Sequence, residues 1–319
     1  MKSKAKTIFI SGIFAYIYIM IALLTPTNLE VIAPGEINNV SNDLYLLEAN
    51  NDHNLYTVSV YTKSKISIFS RILYRLNDQF ELRELSEKEQ TLSKHEQRVQ
   101  GNLSKDFGVN SAVINAFKQY NKTFSDKTIN VTFEGLNVVF IDKERRNILP
   151  VGSLISKVNN KSDLNEMLTE LRNLDNFLEM VVDDKIVKIN RSEIITISVL
   201  PNYSIEFVDC DIDLKALKAN YGGSSGSMMQ TINLYLSLIN ESRSKMEIVG
   251  TGVVNLDGTI GQIGGVVQKV ITAKNNKINH FLVASNNYDE ISSMKTSNFN
   301  IYSIETIEEA LVIIDEIYS

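Results

Sequence analysis

The sequence predicts an α+β protein, and three observations lead to that class. The C-terminal third alternates strand-like and helix-like segments, the pattern of helices packed on a sheet. The middle of the chain is rich in strands, with apolar residues recurring at every second position. The N-terminal stretch is one uninterrupted apolar run of helical length. At 319 residues the chain has material for about two domains. A net charge of -6, not gathered into tails, argues against nucleic acid as a partner. The single cysteine, Cys210, rules out an internal disulfide. No Cys/His cluster has metal-ligand spacing, so neither a metal nor a cofactor is expected. His53, His95 and His280 are scattered outside any motif and read as surface residues.

Taken in order, Lys2, Lys4 and Lys6 precede the apolar run Thr7 to Leu24, which Thr25-Pro26 ends. As a helix it would span roughly 27 Å, close to a bilayer core. Basic residues ahead of it predict a signal-anchor with a cytoplasmic N-terminus and the rest of the chain outside. A cleaved signal peptide is the rival reading, but the run is long for one and no small-x-small site follows. Val31 to Glu36 reads as a strand entering a turn at Pro34-Gly35, and Asn54 to Tyr61 as a half-buried strand. Ser67 to Leu76 has helical spacing, with Ile68, Ile72 and Leu76 on one face and Arg71 and Arg75 solvated. Glu81 to Val99 reads as a charged surface helix or excursion. Asn110 to Tyr120 is predicted as a helix with Val113, Ala116 and Phe117 as its stripe. Thr128 to Ile141 is a strand region, Asp163 to Leu174 a helix, and Ile186 to Leu200 returns to strands. Near the C-terminus, His280 to Ala284 and Asn300 to Ile304 read as strands, separated by a loop and short helix at Asn286 to Ser293. A closing helix runs from Thr306 to Tyr318, opened by a Thr306/Glu309 capping box.

The most informative stretch is Tyr221 to Ala273. It opens with Gly222-Gly223-Ser224-Ser225-Gly226-Ser227, followed by an apolar helical pattern from Met228 to Asn240. A strand-like run from Met246 to Val254 leads to a turn at Asp257-Gly258, then to Gly261-Gln-Ile-Gly264-Gly265, with Lys269 on a second helix. A serine at a strand-to-helix turn is a nucleophile candidate, because helix N-terminal N–H groups stabilise a developing oxyanion. Lys269 is the nearby candidate base, a role open to a lysine desolvated enough to be neutral. A Gly/Ser-rich helix cap is the plainer account of the turn. A phosphate cradle is not, since no G-x-x-x-x-G-K-[ST] occurs.

Together, the two segments GGSSGSM and GTGVVNLDGTIGQIGGVVQKVITA resemble the catalytic motifs of the bacterial membrane-anchored, PDZ-containing Lon-like proteases. The family's Gly-Gly-Pro-Ser-Ala-Gly-Leu places the nucleophile on Ser225, with Gly223 and Gly226 supporting it. The Gly-Gly pair four residues before a lysine places the general base on Lys269. Thr251, in the matching Thr251-Gly252, is implied to orient that lysine. Backbone N–H groups around Ser225 and Gly226 are the implied oxyanion donors. Ser224, Gly226 and Ser227 stand where the family has Pro, Ala and Gly, which predicts a more flexible elbow; Ser227→Gly is expected to be tolerated. Upstream, Leu149 to Asn159 resembles the PDZ hallmark Gly-Asp-x-Ile-x-x-Val-Asn-Gly, with Ser153 for its Asp and Asn160 for its last Gly. Phe133-Glu-Gly135-Leu136 is a candidate carboxylate nest in such a domain.

The resemblance implies a Lon-type protease domain, interrupted by a degenerate PDZ-like domain and preceded by one transmembrane helix. Its expected divisions are 1–27 (cytoplasmic tip and anchor), 28–125 and 201–319 (the two parts of the protease domain), and 126–200 (the PDZ-like insertion). The implied activity is that of an ATP-independent, membrane-anchored serine endopeptidase with a Ser-Lys dyad, since no Walker motif accompanies it. Its partners would be a peptide or protein substrate and the membrane, with a homo-oligomer left open. The other reading is an inactive Lon/PDZ-like scaffold that binds a peptide or membrane partner.

Overall fold

The computed structural model describes residues 2–46, 49, 51, 53–173, 177–194, 196–208, 214–216 and 222–319, with 2–8 and 214–216 described in backbone only. Leu174, Cys210 and Tyr221 therefore lie outside the described residues. Helix α1 (Lys2–Leu24) leads into β1 (Leu29–Asn39). Rather than ending at Pro34-Gly35, β1 continues past a register shift between Pro34 and Ile37. One helical turn, α2 (Val40–Asp43), and a short β2 (Leu44–Leu46) connect it to β3 (His53–Ser64), which runs antiparallel to β1. After α3 (Ile68–Tyr74), β4 (Glu81–Glu84) pairs with the other edge of β1. The short α4 (Glu87–Thr91) then precedes α5 (Lys94–Tyr120).

Helix α5 corrects the sequence expectation, which placed its start at Asn110. It is one helix of 27 residues, opened by a Ser93/Glu96 capping box. Its first half is mostly polar, with a thin stripe of Val99, Leu103 and Phe107 that the sequence expectation did not use.

A second unit follows. Strands β5 (Thr128–Ile141), β6 (Leu154–Val158), β7 (Phe177–Val182), β8 (Lys185–Asn190) and β9 (Ile197–Val208) form an antiparallel sheet in the order β8-β7-β6-β5-β9. Helix α6 (Leu164–Arg172) covers it, and Leu136, Ile155, Met167, Leu178 and Met180 form its core. β9 continues past Leu200 to Val208, paired with β5 as far as Thr128. The proposed carboxylate nest at Phe133–Leu136 is not a turn. It lies within β5, where Phe133 pairs with Tyr203, and Leu136 with both Pro201 and Ile155. Of these residues only Leu136 is paired on both sides; Phe133 and Gly135 are paired with β9 alone.

The chain then returns to the first sheet. The short β10 (Leu214–Ala216) pairs with β2, and α7 (Ser227–Leu238) leads to β11 (Arg243–Thr251). A small ribbon of β12 (Val253–Val254) and β13 (Ile260–Gly261) precedes α8 (Val266–Asn275). β14 (His280–Ala284), α9 (Ser285–Ile291), β15 (Asn300–Ile304) and α10 (Ile307–Tyr318) complete the fold. The six-stranded sheet has the order β15-β14-β11-β3-β1-β4, with β3, β11, β14 and β15 parallel. Thus β3, from before the five-stranded unit, lies beside β11, from after it.

Alternation along the strands builds a core on each face. Ile248, Leu282 and Ile304 point to α7 and α10, meeting Met229, Ile232, Ile307 and Ile314. Val249, Phe281, Val283 and Ile301 point to α8 and α9, meeting Val266, Val270, Ala273 and Ile291. β14 is buried on both faces, which explains its continuous apolar run. Helix α5 packs across α7 through Ala112, Val113, Ala116 and Phe117 against Leu234 and Leu238.

For the expected transmembrane helix, the finding is narrower than the expectation. Among the described residues no helix is long and apolar enough to cross a membrane.

Two glycines on α5 make opposite predictions. A Cβ on Gly108 would sit 2.9 Å from both Cα and Cβ of Ser224, whereas one on Gly101 would meet only Gly222 Cα, at 3.6 Å. Gly101→Ala should gain up to about 1 kcal/mol from helix propensity. Gly108→Ala should lose about 1–3 kcal/mol through overpacking, despite the same propensity gain. Urea denaturation of the two variants checks the sign.

Candidate active site

Three segments converge on Ser225. The first is the turn ahead of α7, which lies against α5. Gly223 N–H donates to Gly101 O at 2.9 Å, and Gly223 holds a φ of 99° that a side chain would disfavour. Ser224 O accepts from Ser227 N–H at 3.0 Å, closing the turn, and Gly226 is the N-cap of α7. The second segment is the end of β11. Gly252 N–H donates to Ser225 O at 2.8 Å, and Thr251 Oγ1 donates to the same oxygen at 3.1 Å. The third is α8, which carries Lys269 in its first turn.

Lys269 Nζ lies 2.9 Å from Ser225 Oγ and 2.9 Å from Thr251 Oγ1. Val266 and Val270, on the same helix, belong to the core beneath α8. Lys269 is 3% exposed, and burial, with no charged partner beside it, brings its pKa down from 10.5 to about 7. Among the described residues neither Ser225 N–H nor Gly226 N–H donates to another group. Both lie at the N-terminus of α7, where the helix dipole favours negative charge. These groups open onto a cleft of about 580 Å³, bounded by Glu36 and Asn38 of β1, Thr57 to Thr62 of β3, Lys105, and Gln230 of α7.

All five sequence-derived site residues meet here: Ser225, Lys269 and Thr251 are linked directly, while Gly223 and Gly226 shape the turn. No histidine lines the cleft. His95 is exposed, but His53 is buried, with Nε2 3.3 Å from Ser237 Oγ, and His280 is half-buried against Tyr302. The surface assignment of His53 therefore fails, because its place at the start of β3 faces α7. Gly101, Gly108 and Gln230 are site neighbours that the sequence reading missed. The two glycines stand seven residues apart, which places them on one helix face, a signal that was present in the sequence.

Ser227 also departs from expectation. It is fully buried, its Oγ accepts from Val254 N–H at 2.8 Å, and it donates to Gly252 O at 3.4 Å. The elbow is thus tied to β12 through this hydroxyl rather than loosened by it. Ser227→Gly and Ser227→Ala should each strand the Val254 N–H and destabilise the protein by about 1–3 kcal/mol, read by thermal or urea denaturation.

Residues 215–316 match the family model described as the Lon protease (S16) C-terminal proteolytic domain. No curated protein matches the chain. The matched segment takes in Ser225, Thr251 and Lys269, together with α7, β11 and α8, which place them. The match to the Lon proteolytic domain thus falls in the C-terminal third of this α+β chain, the part that brings Ser225 and Lys269 together.

Proposed function

We propose that the chain is an ATP-independent serine endopeptidase that works through a Ser225–Lys269 dyad. The observation that carries this reading is the buried Lys269 amine 2.9 Å from Ser225 Oγ, with a pKa near 7. A lysine with that pKa is substantially neutral at neutral pH and can take a proton. The single hydroxyl hydrogen of Thr251 goes to Ser225 O, so toward Lys269 its oxygen acts as acceptor of an Nζ–H. That arrangement leaves the amine lone pair for Ser225. In the reaction, Ser225 Oγ attacks the peptide carbonyl carbon as its proton passes to Nζ. The carbonyl oxygen becomes an oxyanion held by the N–H groups of Ser225 and Gly226. Nζ then returns the proton to the departing amine. A water, deprotonated by the same Nζ, releases the acyl group and regenerates Ser225.

An extended chain fits the cleft. β11 accompanies β3 only as far as the Gly250–Thr57 pair, and β3 continues to Ser64 with β1 on its other side. Residues 58–62 line the cleft along this uncovered edge, where a substrate strand can add to the sheet. Substrates are then short, exposed or unfolded segments. The five-stranded unit between 126 and 208 is read as a PDZ-like insertion, with the protease domain formed by the segments on either side of it. α1 is read as a membrane anchor that places the protease outside the cytoplasm. Its support is the run from Thr7 to Leu24 behind three lysines, with Phe9, Phe14, Tyr18 and Leu24 strongly exposed.

A serine-directed acylating probe should label the protein, and Ser225→Ala should abolish both labelling and peptide cleavage. Lys269→Arg should be as inactive as Lys269→Ala, down by roughly a thousandfold or more, because guanidinium stays charged. Protonation removes the lone pair, so kcat/KM should fall as pH drops through about 7 and level off above it. Near-normal cleavage by a folded Lys269→Arg variant would falsify the dyad. For the anchor, the full chain should sediment with membranes and resist carbonate extraction, and a chain starting at Asn28 should not. Release of the full chain by carbonate would refute it.

A further inference from the structure

The wall of the cleft opposite the nucleophile presents mostly polar side chains, with Val58 and Val60 also in its lining. On β3, Thr57, Ser59 and Tyr61 share one face, while Val58 and Val60 turn away toward α8. Glu36 and Asn38 of β1 continue the polar face, and Gln230 of α7 closes it. Most of these groups satisfy one another. Tyr61 OH donates to Glu36 Oε1, Ser59 Oγ accepts from Glu36 N–H at 3.0 Å, and Thr57 Oγ1 donates to Asn38 O at 3.5 Å.

Gln230 is different. It is 7% exposed, yet its carboxamide bonds to no other described residue. Its N–H donates to Gly226 O at 3.1 Å, so it stands one helical turn above the residue that follows Ser225. Side chains on a helix lean back over the preceding turn, and here that turn carries Gly226, which has no side chain to obstruct it. Gln230 accordingly lines the cleft one turn beyond the nucleophile. Its carboxamide meets cleft water rather than being sealed off, and an apolar substrate side chain would displace that water and leave it unpaired. A hydroxyl or amide would satisfy it, since a carboxamide both donates and accepts.

We propose that Gln230 forms a specificity subsite beside Ser225, selecting peptides with an uncharged hydrogen-bonding side chain (Asn, Gln, Ser or Thr) at one of the two residues flanking the cut. The inference rests on the protease reading above and adds its substrate class. Sites built to hydrogen-bond a substrate group reject analogues that lack it more strongly than apolar pockets reject added polarity.

The test is cleavage of a peptide library varied at the flanking positions, by the unaltered chain and by Gln230→Leu, with acyl-probe labelling of Ser225 measured in parallel. Leu is close to Gln in size, and retained labelling reports an intact elbow. The unaltered chain should favour Asn, Gln, Ser or Thr over Leu or Met at one flanking position. Gln230→Leu should shift that kcat/KM ratio toward the apolar residue by roughly tenfold or more. Gln230→Glu, which keeps the shape and adds charge, should move the preference to Lys or Arg. Cleavage with an apolar preference at both flanking positions, or a profile unchanged in a labelled Gln230→Leu variant, overturns the subsite and leaves the protease reading standing. Absence of both labelling and cleavage in the unaltered chain overturns the two together.

Discussion

The site depends on one amine kept out of water. Lys269 is buried, and among the described residues no carboxylate lies beside it, so the charged form is disfavoured and the neutral amine is within reach near pH 7. This environment is built by the sheet rather than by the lysine's own neighbours in sequence. β11 ends at Thr251, α8 begins just before Lys269, and the turn into α7 presents Ser225; the parallel strands between them set the spacing. The arrangement opposes stability. An unfolded lysine titrates near 10.4 and the folded one near 7, so between those values the unfolded chain binds more protons. The penalty is therefore full below about pH 7 and fades as the pH rises toward 10, which makes reactivity at Lys269 a cost that the surrounding core must offset.

That core is tightly packed at the elbow. Gly222 and Gly101 approach so nearly that a Cβ on Gly222 would lie 2.9 Å from Gly101 Cα, and Ser224 lies against Gly108. Ser225 O receives two hydrogen bonds from the end of β11, and the Ser227 hydroxyl joins the next turn to Val254. The substitutions that suggested a slack elbow in the sequence act otherwise in three dimensions. Ser227, in the place of a glycine, supplies an acceptor for a buried N–H. Gly226, in the place of an alanine, leaves room for Thr57, whose methyl would be 3.0 Å from a Cβ there.

What could be read from the sequence follows from this division between local and distant causes. The chemistry at Ser225 and Lys269 requires particular residue types at short range, namely glycines for the turn and a lysine just inside a helix, and those leave a linear trace. β14 was legible because both faces are buried and its run is continuously apolar, and the end of β11 because Ile248 to Thr251 are buried. The start of α5 was not, because its capping residues and charge outweigh the thin stripe of Val99, Leu103 and Phe107. Neither was the burial of His53, nor the use of Phe133–Leu136 as mid-strand backbone, since each is decided by what lies opposite: α7 in one case, β6 and β9 in the other. The polar wall of the cleft was illegible for the same reason, being assembled from β1, β3 and α7.

Helix α5 shows how such distant causes act together. Near its start Gln100 donates to Val139 O of the five-stranded unit at 3.0 Å, and Glu96 pairs with Arg146 at 3.2 Å. Further along, Asn110 reaches Tyr203 O of β9 at 2.9 Å. Between these contacts the same helix presents Gly101 and Gly108 to the elbow, and beyond them Ala112 to Phe117 pack on α7. A continuous helix is stiff over this length, so the five-stranded unit and the nucleophile turn take their positions from one element. The glycines are then more than permissive spacers. They allow a helix anchored in one unit to touch the backbone of the other closely enough to define where Ser225 stands.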